Sequence, residues 1–106
     1  MSSAGTRAVT EVIASNPRET DTGVKGAIDV DVEITLDDGT ILDGEVTLVR
    51  AADGRPSWEP YGDTADHWVS GALLAALSAH VGDAESLRRA LSEIAGSAAE
   101  ASDYQA

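Results

Sequence analysis

From Ala27 to Leu36 apolar and polar residues alternate without a break, with Ile28, Val30, Val32, Ile34 and Leu36 set against Asp29, Asp31, Glu33 and Thr35. A period of two is the signature of a strand with one buried and one solvated face. It confines this stretch to a sheet whose inner side something else must cover. Asp37-Asp38-Gly39 follows, and then a second strand from about Thr40 to Arg50. A two-residue Asp38-Gly39 loop would set Ile34 opposite Asp43, mixing core and carboxylate on one face. A three-residue loop, with Gly39 in the left-handed conformation, instead pairs Ile34 with Leu42, Val32 with Gly44, Val30 with Val46 and Ile28 with Leu48. Because a one-residue slip turns every side chain to the wrong side, the second register is the expected one.

Around this hairpin the chain reads as a three-stranded antiparallel meander with two C-terminal helices packed on one face, an α+β fold. Residues 7–14 add a possible fourth, N-terminal strand, and 15–26, with Pro17, Gly23 and Gly26, read as a loop. A second three-residue turn at Ala52-Asp53-Gly54 would pair Leu48 with Trp58 and Val46 with Pro60. That makes the third strand a short edge over about 55–59, between Pro56 and Pro60. Asp63 or Thr64 is placed to cap a helix running to about His80. Gly82 ends it, and Asp83 caps a second helix to about Ala99. The second helix is amphipathic, with Leu87, Leu91, Ile94 and Ala98 on one stripe and Glu85, Arg89, Glu93 and Glu100 opposite. The first is apolar on most sides, and the surface left over around Leu74 and Val81 suggests a homodimer through residues 65–81 or a contact with a partner protein. All 106 residues read as one domain, frayed over 1–6 and 102–106.

The hairpin register has an electrostatic consequence. On the outer face Glu33 opposes Asp43, Asp31 opposes Glu45, and Asp29 lies next along the first strand at about 6.6 Å per two residues. Opposed like charges destabilise a sheet by roughly 0.2–1 kcal/mol per pair, and no Lys or Arg lies between residues 26 and 49 to relieve them. The whole chain is similarly unbalanced, with 19 Asp/Glu against 7 Lys/Arg and a net charge of −12. Direct binding to nucleic-acid backbone or to an anionic membrane surface is therefore disfavoured. One account is a solvated face, screened by salt and helped by Arg50, Arg55 or Arg88; low lysine with high aspartate also suits a GC-rich genome or a high-salt environment. The alternative is a docking face, Asp29, Asp31, Glu33, Asp43 and Glu45, for a basic protein partner or in imitation of a nucleic-acid backbone. A divalent cation is a poorer match, since flat strands wrap a cation badly and no EF-hand pattern is present.

The segment 58–68 concentrates both tryptophans, one of two tyrosines and one of two histidines. Trp58, Glu59, Tyr61, Asp63, Asp66 and His67 form the alternative candidate site, for a small molecule or a metal, or for weak hydrolysis by Glu59, Asp63, Asp66 and His67. A structural account competes: Trp58 facing the core beside the gap at Gly44, Trp68 on the apolar arc, and Asp63 and Asp66 as cap and first-turn charges. His80 reads as a helix-end cap. With no cysteine there is no thiolate nucleophile, disulfide or zinc–thiolate site, and phosphate loops, nucleophile elbows and zinc-helix motifs are missing. The reading is a non-enzymatic, cytoplasmic interaction protein without cofactor. No stretch approaches the roughly 18 apolar residues that span a bilayer.

Overall fold

The computed structural model describes residues 7–20, 23, 25–50, 57–62 and 64–105, for the last three the backbone alone. Four strands, β1 (Val9–Glu19), β2 (Ile28–Leu36), β3 (Ile41–Arg50) and β4 (Trp58–Pro60), form an open antiparallel sheet in sequential order. A short helix α1 (Ala65–Trp68) and two larger helices, α2 (Gly71–Val81) and α3 (Ala84–Gln105), follow. The β2–β3 register is the expected one, with Ile28, Val30, Val32 and Ile34 opposite Leu48, Val46, Gly44 and Leu42. Its loop has three residues: Leu36 N–H bonds to the Thr40 carbonyl at 2.9 Å, and Gly39 has φ 89°. The alternation places Val30, Val32, Ile34 and Leu36 on the inner side, where Leu73 and Leu77 of α2 and Ile94 and Ala98 of α3 close the core; all eight are at most 2% exposed.

Four expectations need correction. The fourth strand is real, and it continues through the segment read as a loop, to Glu19. Between Ser15 and Arg18 three residues of β1 advance against two of β2, a bulge in which Asn16 takes φ 56°. Asn16 and Pro17, which look like strand breakers, supply it.

The β3–β4 register is also different: Leu48 pairs with Pro60 and Arg50 with Trp58, two residues from the expected pairing. The turn at Ala52-Asp53-Gly54 lies outside the described residues, as do Arg55 and Pro56. A shift of two preserves which face each side chain takes, so Trp58 still points inward. It does not sit beside Gly44, where Leu73 and Ser70 make the close approach; its ring lies under the Arg50 guanidinium instead, 4.5 Å from ring centroid to carbon.

The first helix is two helices. Val69 is extended (φ −107°, ψ 136°), 3% exposed, and bridges to Val46. The next N–H, of Ser70, bonds to the Glu45 carbonyl at 2.9 Å. β4 pairs with β3 only from Leu48 to Arg50, so residues 69–70 take over the edge it leaves open. Ser70 then becomes the N-cap of α2, its hydroxyl accepting from Leu73 N–H at 3.3 Å. Thr64, at the head of α1, makes no side-chain cap bond, and Asp63 lies outside the described residues.

Lastly, α3 runs past Ala99 to Gln105, and Ser102, expected to fray, is 3% exposed. Its stripe is the expected one with Ala90 added. α2 does end at Gly82, and Asp83 caps α3 by accepting from Ser86 N–H at 2.9 Å and from the Ser86 hydroxyl at 2.8 Å.

Two exposed carboxylates are tied into this framework. Asp38 accepts from Thr40 N–H at 3.0 Å and from Arg7 Nε at 2.9 Å; the Thr40 backbone bond and then Arg7 hold its pKa down to about 2, against 3.8 for an ordinary aspartate. Asp83 is shifted the same way by its bonds from Ser86. A carboxylate with a depressed folded-state pKa stabilises above its unfolded value and loses that contribution as pH falls through the folded one. Thermal melts should therefore show stability lost as pH drops from about 4 towards 2, and the loss should be smaller in Asp38→Asn/Asp83→Asn than in the parent.

Candidate functional site

All three helices follow the meander, and the core they share with the sheet lies on one side of it. Among the described residues no helix packs on the other side, and pairing lays it out in rows. Glu11, Thr35 and Ile41 form one row across β1, β2 and β3; Ile13, Glu33 and Asp43 the next; Ser15, Asp31 and Glu45 the third; Arg18, Asp29 and Thr47 the last. The carboxylate pairs Glu33 with Asp43 and Asp31 with Glu45 are as the hairpin register requires.

The relief of this charge comes from an unexpected residue. Arg18, carried onto the outer face by the bulge, reaches diagonally to the third row, where its Nη2 lies 2.9 Å from Asp31 Oδ1 and bonds to Glu45 Oε2. Its Nη1 donates to the Asn16 carbonyl at 3.0 Å, and Asn16 Nδ2 donates to the other Asp31 oxygen at 3.1 Å. Burial works against the Arg18 charge, but hydrogen bonding and attraction from Asp31 and then Glu45 outweigh it, so its pKa stands above the ordinary arginine value. Arg50, one of the arginines expected in this role, is on the inner side over Trp58.

Asp29 departs from the expected docking face. It is 5% exposed, beside Thr47 at 8%, whose hydroxyl donates to Asp29 Oδ1 at 2.8 Å. The last row is thus part of the framework, and Asp29 is not offered to a partner. Glu33, Asp43 and Glu45 are exposed and Asp31 half-buried. Glu33 and Asp43 have no ionic partner among the described residues. Ile13 (47% exposed) and Ile41 (59%) are the large exposed apolar side chains among the described residues, and both stand on this face next to that pair. A groove of about 440 Å³ runs over it, bordered by Ile13, Asp31, Glu33, Asp43 and Glu45.

The segment 58–68 is spread out. Trp58 faces inward with its Nε1 buried and without a hydrogen-bond partner among the described residues. Glu59 points outward opposite Val49, while Tyr61 is held through its backbone N–H on the Thr47 carbonyl at 3.0 Å. Asp66 and His67 are exposed on α1. A groove of about 550 Å³ between this segment and α3 takes in Glu59, Trp68, Arg88 and Leu91 but not Trp58, Tyr61, Asp66 or His67. Among the described residues no three His, Asp or Glu side chains converge as a metal site would require.

Of the two residues that marked the surface expected to form a homodimer, Val81 is buried and Leu74 is half-buried. Gly71, Ala72, Ala75, Ser78 and Ala79 are the outward side of α2. Among the described residues, no helix is long and apolar enough to cross a membrane. No protein-family model, curated protein or solved structure matches this chain.

Proposed function

We propose that this chain is a non-catalytic interaction module that binds a basic protein partner through the uncovered face of its sheet. The observation that carries the reading is what that face presents: four carboxylates in two opposed pairs with Glu11 beyond them, the Arg18 guanidinium among them, and two exposed isoleucines alongside. Opposed carboxylates weaken a sheet, and isoleucines in water contribute nothing to the core. Both features become favourable when a cationic surface with apolar neighbours covers them. The net charge of −12 adds long-range attraction for such a partner and repulsion of anionic ones. Imitation of a nucleic-acid backbone is the weaker version, because burial of Asp29 and the Arg18 contact shorten the carboxylate row to one pair without a cation.

The test is association with a panel of basic proteins across a salt series, for the parent and for Glu33→Lys/Asp43→Lys. The expected result is binding that weakens steeply with salt and is lost in the variant. Equal binding by the variant, or no association with any basic protein at low salt, overturns the reading.

A further inference from the structure

Resting on that reading, we infer that the Glu33–Asp43 pair is a seat for an arginine of the partner protein, with an apolar neighbour of that arginine lying on Ile13 and Ile41. The molecule displays the occupied form of such a seat one row away. There, Asp31 and Glu45 are directly opposed on β2 and β3, and the guanidinium of Arg18 bonds to both with one nitrogen while a second bonds to a carbonyl. Glu33 and Asp43 repeat the construction on the same two strands, about 7 Å further along. Directly opposed side chains hold their Cβ atoms about 4.5–5.5 Å apart, a gap that one guanidinium can bridge at either pair. The first pair receives its cation from β1. At the second, β1 contributes Ile13 instead, and no cation of the described residues pairs with Glu33 or Asp43.

The flanking residues argue for arginine over lysine. Ile13 shares the row with the pair, and Ile41 lies two residues before Asp43 on the same side of β3. A cation seated between them loses part of its water. A guanidinium is more weakly hydrated than an ammonium and keeps its planar donors in fixed directions, so it gives up less on entering such a site. An apolar residue beside the arginine would cover the isoleucines. Local charge also has room for a second cation, since four carboxylates face a single guanidinium.

The experiment is an amide chemical-shift titration of the whole chain at low salt with three short peptides. Each carries one central residue between two leucines, and that residue is arginine, lysine or citrulline. The expected result is saturable shifts centred on residues 13, 33, 41 and 43 with the arginine peptide, affinity lower by about fivefold or more for lysine, and none with citrulline. Glu33→Gln/Asp43→Asn, two exposed and outward-facing changes, should abolish the shifts while the core amides stay in place. Arg18→Ala should do the reverse, opening the Asp31–Glu45 pair so that a second equivalent of the arginine peptide binds. Equal affinity for arginine and lysine peptides overturns the arginine seat while leaving a basic-partner face intact. Shifts centred elsewhere also overturn the seat. Absence of binding by every cationic peptide, together with failure of the basic-protein panel, overturns both.

Discussion

Gly44→Ala should lower the unfolding free energy by about 1–3 kcal/mol, the range for forcing extra volume into a packed core, although it adds one methyl group to a strand. An ideal Cβ at this position would lie 2.5 Å from Leu73 Cβ, 2.9 Å from Ser70 Oγ and 3.0 Å from Leu73 Cδ2. Contacts under 3 Å cannot be held, so something must move. The nearest atom is itself a Cβ, and rotating the leucine side chain does not shift it. The first turn of α2 must rise off the sheet, and that turn is anchored by the Ser70 cap and by the Ser70 N–H on the Glu45 carbonyl. For the same reason Leu73→Ala, which keeps the obstructing atom, should not rescue Gly44→Ala; it should add its own cavity cost.

The comparison that isolates this mechanism is Gly96→Ala. Gly96 is an exposed residue inside α3 where an added Cβ meets nothing within 4 Å. There the change removes chain entropy from the unfolded state and should stabilise by about 0.4–1 kcal/mol. Urea unfolding of the two variants should therefore give midpoints displaced to opposite sides of the parent. Displacement of both to the same side would mean that α2 does not approach β3 as closely as the geometry states.

What could be read in advance, and what could not, divides along a physical line. The β2–β3 register was legible because two local signals agreed: a strict apolar alternation, and a turn whose glycine favours a three-residue loop. The end of α2 at Gly82 and the Asp83 cap were legible for the same reason, since caps are local chemistry. The break at Val69 was not. Nothing in the run from Ala65 to Val81 forbids a continuous helix; the break exists because β4 pairs with only three residues of β3 and leaves the backbone at Glu45 and Val46 to be satisfied. That need appears only in the tertiary structure. Ser70, a good N-cap ahead of an apolar run, was the one local hint. Arg18 was missed because Asn16 and Pro17 look like a loop, whereas a bulge on an edge strand accommodates both and turns the following residue to the outer face. The opposed acidic pairs are thus legible in the register, while a counter-ion delivered by a bulge, Arg18 rather than Arg50, is not. The two-residue shift of β4 was likewise beyond turn chemistry alone, since its loop length depends on where Pro60 and Trp58 meet β3.

Thr47→Val should cost about 1.5–3 kcal/mol, the usual worth of a hydrogen bond to a charged group, although valine matches threonine in shape and suits a strand better. The Thr47 hydroxyl donates at 2.8 Å to Asp29, and both residues are more than nine-tenths buried. A carboxylate withdrawn from water must have its lone pairs satisfied by the protein, and valine removes a donor without returning the solvent. A double-mutant cycle with Asp29→Ala should give a coupling of about 1 kcal/mol or more, whereas Thr35→Val, half-buried three rows away on β2, should be nearly neutral. The consequence reaches the functional reading. Asp29 belongs to the same alternating series as Asp31 and Glu33, yet its environment has turned it from an exposed charge into a structural group. Thr47→Val should therefore lower stability and leave the affinity for an arginine peptide unchanged, and Glu33→Gln/Asp43→Asn should do the opposite, raising stability slightly as the opposed charges are removed while binding is lost. If each of these two variants affects stability and binding together, the outer face is a single electrostatic unit and the division into framework and seat is wrong.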